Sequence, residues 1–412
     1  MNGTGILTPD ERRRYADAVV KASLGVGKGD YLYVQGHPAH REFVVAIAEA
    51  GYRAGATIVE VSYYDPLTDR AHYEHGSKES LGVVSPVAKR RMQELVKPHG
   101  ARAVVTGEVD HGYLDGVDPK RIAADQAGVA AQTRSYQKAN MDLNARWTGV
   151  AWPTEFWAAQ VYPELSRADG MRKLGEDFLW FCRLTDGDGK GSAGWLEHVR
   201  AIARRSAKLT KLDLAALELR GPGTELDVRL TQGSRWLGGQ EQTRTGTKIA
   251  PNMPTEESFT SPDAAGTNGT FVCTLPLTLR GKRIDGLRGE FSNGRLVRLE
   301  ADDDEGRDFV ASYIDSDPSG NGRRLGELAL VDATSRIGQS GRTYFHTLLD
   351  ENAAAHIAFG AGFGGTRPNG ARGLNRATVH LDVMIGGPDF AVTGVTQKGR
   401  RVPVIADGLW QI

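Results

Sequence analysis

The chain has 412 residues, enough for two or three domains with large buried cores, and its 51 Lys plus Arg balance 51 Asp plus Glu. This neutrality argues against nucleic acid or an anionic membrane as a partner. No apolar run approaches membrane-spanning length, Met1 to Thr8 lacks the charged start and long apolar stretch of a secretion signal, and Cys182 and Cys273 lie far apart in apolar sequence as free thiols, so a cytoplasmic protein is expected.

In chain order, a helix is predicted from Pro9 to Leu24, capped by Thr8 and stopped by Gly25. The strand Tyr31 to Gln35, a helix from His40 to Arg53 and the strand Thr57 to Tyr63 follow, with later strands at Ala103 to Thr106 and Trp147 to Trp152. Strands alternating with helices predict an α/β N-terminal domain with a mainly parallel sheet. Helices are expected across Thr154 to Leu209, with Trp180, Phe181 and Trp195 in the core.

After Leu212 the pattern becomes strand-rich. Leu217 to Leu230 alternates apolar and polar residues around Gly221-Pro222-Gly223, which predicts a hairpin. Phe271 to Leu279 and Gly289 to Leu299 continue the style, the latter around Ser292-Asn293-Gly294. The predicted division is therefore a scaffold or lid domain, residues 1–211, followed by an α+β, strand-rich C-terminal catalytic domain, residues 212–412. The acidic run Glu300 to Asp308 lacks the regular ligand positions of a calcium loop and reads as the start of a helix reaching Ile314. Gly360 to Gly365 follows a helix-like stretch and opens no helix, which argues against a dinucleotide site.

Six metal-capable side chains occupy four short motifs in this last third. Glu256 and Glu257 lie in Asn252-Met-Pro-Thr-Glu-Glu-Ser-Phe-Thr260, Glu327 in Leu325-Gly-Glu-Leu-Ala-Leu330, His356 in Asp350-Glu-Asn-Ala-Ala-Ala-His356, and His380 with Asp382 in Val379-His-Leu-Asp-Val-Met-Ile-Gly386. Carboxylates and imidazoles without thiolates suit borderline or hard divalent ions. In an extended strand, His380 and Asp382 share a face. Each motif alone has a plainer reading: His356 as a hydrogen-bonded imidazole, Glu256-Glu257 as the acidic first turn of a helix, Glu327 as an exposed strand residue. Together they sit in apolar sequence, where an unpartnered charge is costly.

These segments, with Leu349 to Gly360 around His356, resemble the signatures of the M29 family of thermophilic metallo-aminopeptidases. The resemblance runs in order over most of the chain and is specific in its C-terminal third. It implies that Glu257, Glu327, His356, His380 and Asp382 bind a centre of two divalent metal ions (Zn, Co or Mn), that the substrate is a peptide with a free N-terminus, and that the chain is a homodimer. Where the family has a Tyr shortly after the metal-binding His, this chain has Phe363.

The expected chemistry is hydrolysis by a water activated between two ions, with the substrate amine as a ligand. Glu256 and Glu351, each beside a ligand motif, are the candidate general bases, although Glu351 also suits a supporting role beside a ligating His. Tyr344 and His346 are candidate replacements for the missing phenol. Two alternatives share the motifs: a mononuclear iron dioxygenase using His356, His380 and Asp382, and a non-catalytic homologue with a structural metal site. The first leaves Glu257 and Glu327 without a partner.

Overall fold

Thr8 begins the first helix by a reciprocal cap: its Oγ1 accepts the Glu11 N–H at 3.3 Å, while Glu11 Oε2 accepts the Thr8 N–H at 2.8 Å. The helix Pro9–Asp17 continues as a wider turn through Ala18–Ser23. It stops before Gly25, whose φ of +59° falls in the left-handed region. The computed structural model describes residues 6–110, 112–279, 282–368 and 371–412.

By its contacts the chain forms two compact units, Met1–Glu197 with Gln240–Met253 and His198–Gly239 with Pro254–Ile412. The chain passes between them three times, whereas the sequence pattern suggests one change near residue 211. One reason is local: the short strand Asn252–Met253 returns to pair with Arg146–Ala151 in the first unit.

The first unit contains a five-stranded parallel sheet in the order Ile58–Tyr63, Tyr31–Gly36, Gly100–Thr106, Arg146–Ala151, Asn252–Met253. This is the α/β part expected from the alternating pattern. The helix Arg41–Ala54 connects the first two strands in sequence and ends at Gly55, φ +101°. Its Phe43 stacks on Trp152 with ring centroids 4.4 Å apart, and Tyr15 joins at 4.7 Å from Phe43. Phe181 and Trp195 are fully buried as expected, but Trp180 is only partly buried.

The second unit is built from antiparallel strands. Eight form one sheet, including the Leu214–Gly221 and Thr224–Arg229 hairpin, whose turn uses Gly223 at φ +74°. Phe271 to Leu279 is two strands, Thr267–Val272 and Leu277–Leu279, in different sheets. Pro276, which has no N–H to give to a ladder, lies between them. Asp303 caps the expected helix Asp304–Asp315.

The other main sheet has four strands in the order Ser258–Thr260, Leu325–Leu330, His356–Gly360, His380–Met384. Phe359 from this sheet meets Phe271 and Phe291 of the eight-stranded sheet at 5.9 and 5.7 Å, so the two sheets share one apolar core. Gly360 ends a strand, where the sequence reads as helix-like. The polyalanine run before His356 favours helix by propensity, but Ile357 and Phe359 alternate into the core as a strand requires. The Gly-rich segment still opens no α-helix, only a short turn at Gly364–Thr366.

Candidate metal centre

Directly opposed residues of antiparallel strands point to the same side of a sheet. In the four-stranded sheet, Glu327 opposes Ala358, which in turn opposes Asp382; Ala329 opposes His356, and Gly360 opposes His380. The register therefore gathers Glu327, His356, His380 and Asp382 on one face. The small residues Ala329, Ala358 and Gly360 lie between them and leave room above the sheet. The opposite face carries Leu328, Ile357, Phe359, Leu381 and Val383 into the core.

Glu327 reaches this face through an irregularity. The register slips between Leu325 and Glu327, and a bulge of this kind re-aims the side chain that follows it. A Cβ on Gly326 would lie 2.2 Å from the carbonyl oxygens of both Gly360 and Ala361, so the close approach requires glycine. Glu257 enters from the residue immediately before Ser258–Thr260.

The resulting geometry is two overlapping triads. His356 Nε2 lies 3.3 Å from Glu257 Oε2, and His380 Nε2 lies 3.2 Å from both Glu327 Oε2 and Asp382 Oδ1. In each triad, Glu257-Glu327-His356 and Glu327-His380-Asp382, one donor atom per residue falls within 4.8 Å of the others. Glu327 belongs to both. Four of the five side chains are buried, and His380 is partly open. All five residues expected as ligands are brought together.

The imidazoles are oriented from behind. His356 Nδ1 lies 3.2 Å from the Ala354 carbonyl oxygen and His380 Nδ1 2.9 Å from that of Ala361. A Nδ1–H donated to each carbonyl turns Nε2 inward, the arrangement that fixes a ligating histidine. Burying this many ionisable groups costs several kcal/mol per ion unless they are compensated. The donor set and its buried carboxylates therefore fit one or more divalent cations.

Without a metal, protons do part of that compensation. Burial opposes charge on His356, but the Glu257 hydrogen bond and the nearby carboxylates prevail and lift it to about 10. Burial likewise opposes charge on His380, which Asp382 and Glu327 nevertheless raise well above its ordinary value. Burial pushes Glu327 up to about 7 against the His380 hydrogen bond. Asp382 is lowered although burial works the other way, because His380 holds its charge. Metal binding must displace the imidazolium protons, so it is favoured by rising pH.

The other expected site residues have distinct surroundings. Burial, followed by the charges of Asp382 and Glu257, pushes Glu351 well above the usual carboxylate range, which puts it in the electrostatic field of the triads. Glu256 lies 3.4 Å from His198 through its Oε2. Tyr344 is fully buried, and its N–H is taken by Asp350 Oδ1 at 2.7 Å. His346 gives its own N–H to Asp350 Oδ2 at 3.0 Å and uses Nδ1 to accept the Leu348 N–H at 3.2 Å. Phe363 packs edge-on to His380, ring centroids 5.5 Å apart, and against Phe259 at 5.0 Å.

Sequence reasoning missed Asn352 and His198. Asn352 Oδ1 accepts the Glu256 N–H at 2.7 Å, and its Nδ2 gives to Leu348 O at 3.0 Å. Its place beside Glu351 in the Asp-Glu-Asn motif was the available signal. His198 carries no local signal, because it lies on the Ala193–Lys211 helix, far from the motifs in sequence.

Comparison with known proteins identifies the family. The profile described as Thermophilic metalloprotease (M29) matches residues 9–410. Aminopeptidase 2 of Geobacillus stearothermophilus is 32% identical over 409 residues, covering 97% of each chain. Aminopeptidase T of Thermus thermophilus is 32% identical over 406 residues, covering 97% of this chain and 98% of its own. The solved structure of wild-type AmpT from Thermus thermophilus superposes with a TM-score of 0.88 at 30% identity, covering 98% of this chain and all of that one (100%). With a profile match across nearly its whole length and relatives matched end to end, the chain belongs to the M29 family of thermophilic metalloproteases.

Proposed function

We propose that this protein is a metal-dependent aminopeptidase that removes residues from peptide N-termini at the Glu257, Glu327, His356, His380 and Asp382 centre. The observation that carries the reading is the double membership of Glu327: one buried carboxylate lies within reach of the donors of both triads, so it would be available to an ion held in either. Two divalent ions, zinc, cobalt or manganese, would supply Lewis acidity and lower the pKa of a water towards about 7. A single iron held by His356, His380 and Asp382 would leave the buried carboxylates of Glu257 and Glu327 without a cation.

The chain's own residues do the rest. The sheet fixes the two imidazoles through the Ala354 and Ala361 carbonyls, so the site is formed in advance and loses little on binding substrate. Glu256 is the proton carrier, taking a proton from the attacking water and giving it to the leaving amine, a role worth about 10² to 10⁴ in rate. Glu351 stays with the ligand cluster, whose charges it already feels, and Asn352 Nδ2 lies 3.4 Å from its Oε1.

A site rich in carboxylates selects a substrate with a basic N-terminus. N-acetylation removes that basicity, so kcat/KM for acetyl-leucyl p-nitroanilide should fall on the order of 10³-fold below that for the leucyl compound if about 4 kcal/mol of amine recognition is lost. Equal rates would make the protein an amidase or endopeptidase.

The reading includes a homodimer. Supporting it, Ile58–Tyr63 is an edge strand whose Ile58, Val61 and Tyr63 are exposed, an arrangement that favours association. Light scattering at micromolar concentration should give twice the chain mass, and a monomer would refute it. Among the described residues no helix is long and apolar enough to cross a membrane, and both cysteines are free. Cytoplasmic residence is part of the proposal and is checked by cell fractionation.

A further inference from the structure

Thr255, Glu256 and Glu257 lie outside any strand ladder, yet each is more than nine-tenths buried, at 4%, 7% and 7% exposure. Buried backbone needs hydrogen-bond partners, and here side chains provide them. His198 Nε2 lies 2.8 Å from the Thr255 carbonyl oxygen, and Asn352 Oδ1 accepts the Glu256 N–H at 2.7 Å. The two contacts differ in reach. Asn352 ties the backbone of this turn to the loop carrying Glu351, whereas the His198 Nε2 that holds the Thr255 carbonyl is also 3.4 Å from Glu256 Oε2. One mostly buried imidazole thus touches both the backbone of the turn and the carboxylate that projects from it.

We propose that His198 is a positioning residue: by holding Thr255 and Glu256 together it fixes the rotamer that aims the Glu256 carboxylate at the reacting water. The inference rests on the reading of Glu256 as the proton carrier. A glutamate has three rotatable side-chain bonds and several staggered states, so an untethered carboxylate would spend little time aimed. Glu257, the adjacent residue, is held separately by His356 at 3.3 Å. Loss of His198 should therefore misplace the proton carrier while leaving the metal ligands in place. Because substrate binding does not require an aimed base, the loss should appear in kcat and not in KM.

Steady-state kinetics and elemental metal analysis on His198→Leu, His198→Gln, His198→Asn, Glu256→Gln and the Leu/Gln double variant test this. Glu256→Gln should lower kcat by about 10² to 10⁴. His198→Leu should lower kcat by about 10² with KM little changed, the scale of a misplacement of about 1 Å. His198→Gln, whose amide nitrogen reaches the Nε2 position, should recover most of kcat, whereas His198→Asn, too short to do so, should not. All variants should hold the parent's metal content, and His198→Leu should add little to Glu256→Gln, since the two act as one unit. Parent-like kcat in His198→Leu, equal defects in Gln and Asn, loss of metal in the folded variants, or independent addition in the double variant would each overturn the proposal. If His198→Leu does not fold, the comparison of Gln with Asn decides. Parent-like kcat in Glu256→Gln would remove the proton-carrier assignment itself, an outcome distinct from failure of the His198 variants alone.

Discussion

Glu327→Gln should lower kcat by about 10³ or more. The substitution keeps the shape but removes the charge shared by both triads. Metal-based stabilisation of developing charge is worth several kcal/mol, and about 4 kcal/mol corresponds to roughly 10³ in rate. The same change alters how the metal-free protein responds to pH. Burial lifts the Glu327 carboxyl from 4.5 to about 7, so the folded state binds its proton more tightly than the unfolded chain does. Its contribution is fully present below about pH 4.5 and is lost as pH rises through about 7. The metal-free parent should therefore lose stability over that window. Glu327→Gln, with no proton to release there, should show a shallower slope in denaturant titrations at pH 4.5, 6 and 7.5. Parent-like turnover or an unchanged slope would contradict the role given to this carboxylate.

Phe363→Tyr should raise kcat by about 10² to 10³ at similar KM, if the phenol that the family resemblance implies at this position supplies a hydrogen bond to the oxyanion, because one such donor is worth that much. The ring is already placed for it, edge-on to the His380 imidazole at 5.5 Å, with its backbone N–H given to Ser261 Oγ at 2.7 Å. A hydroxyl added at the ring's tip would extend from a framework fixed beside a ligand. A contact made only in the transition state changes kcat and leaves KM alone. An unchanged kcat, together with a large loss in Tyr344→Phe or His346→Ala, would instead show that one of those side chains has taken over. Tyr344 is fully buried, and His346 Nδ1 caps Leu348, so both are already committed to local structure.

The ligand motifs could be read because each packs its chemistry into a few residues. His380 and Asp382 share a face by the two-residue period of a strand, and Thr8, Gly25 and Gly223 mark boundaries through their own local chemistry. What could not be read depends on distant partners. The bulge at Gly326 exists because the Gly360 and Ala361 carbonyls pass close by. The two-residue strand Asn252–Met253 is too short to show a period, so its return to the first unit's sheet was invisible. His356 follows three alanines that favour helix, and only the pairing of Ile357 with Leu328 and Val383 makes that segment a strand. His198 meets Thr255 across 57 positions of sequence, a contact that neither motif nor periodicity encodes.

The measurement that tests the central claim most directly is hydrolysis of leucyl p-nitroanilide by the purified protein, with metal content determined on the same samples, before and after chelation. Two zinc, cobalt or manganese ions per chain, loss of activity as they are removed, and recovery when they are restored are the expected results, because hydroxide is available near neutral pH only while the metal is held. Full activity in a sample verified to be metal-free would contradict the account.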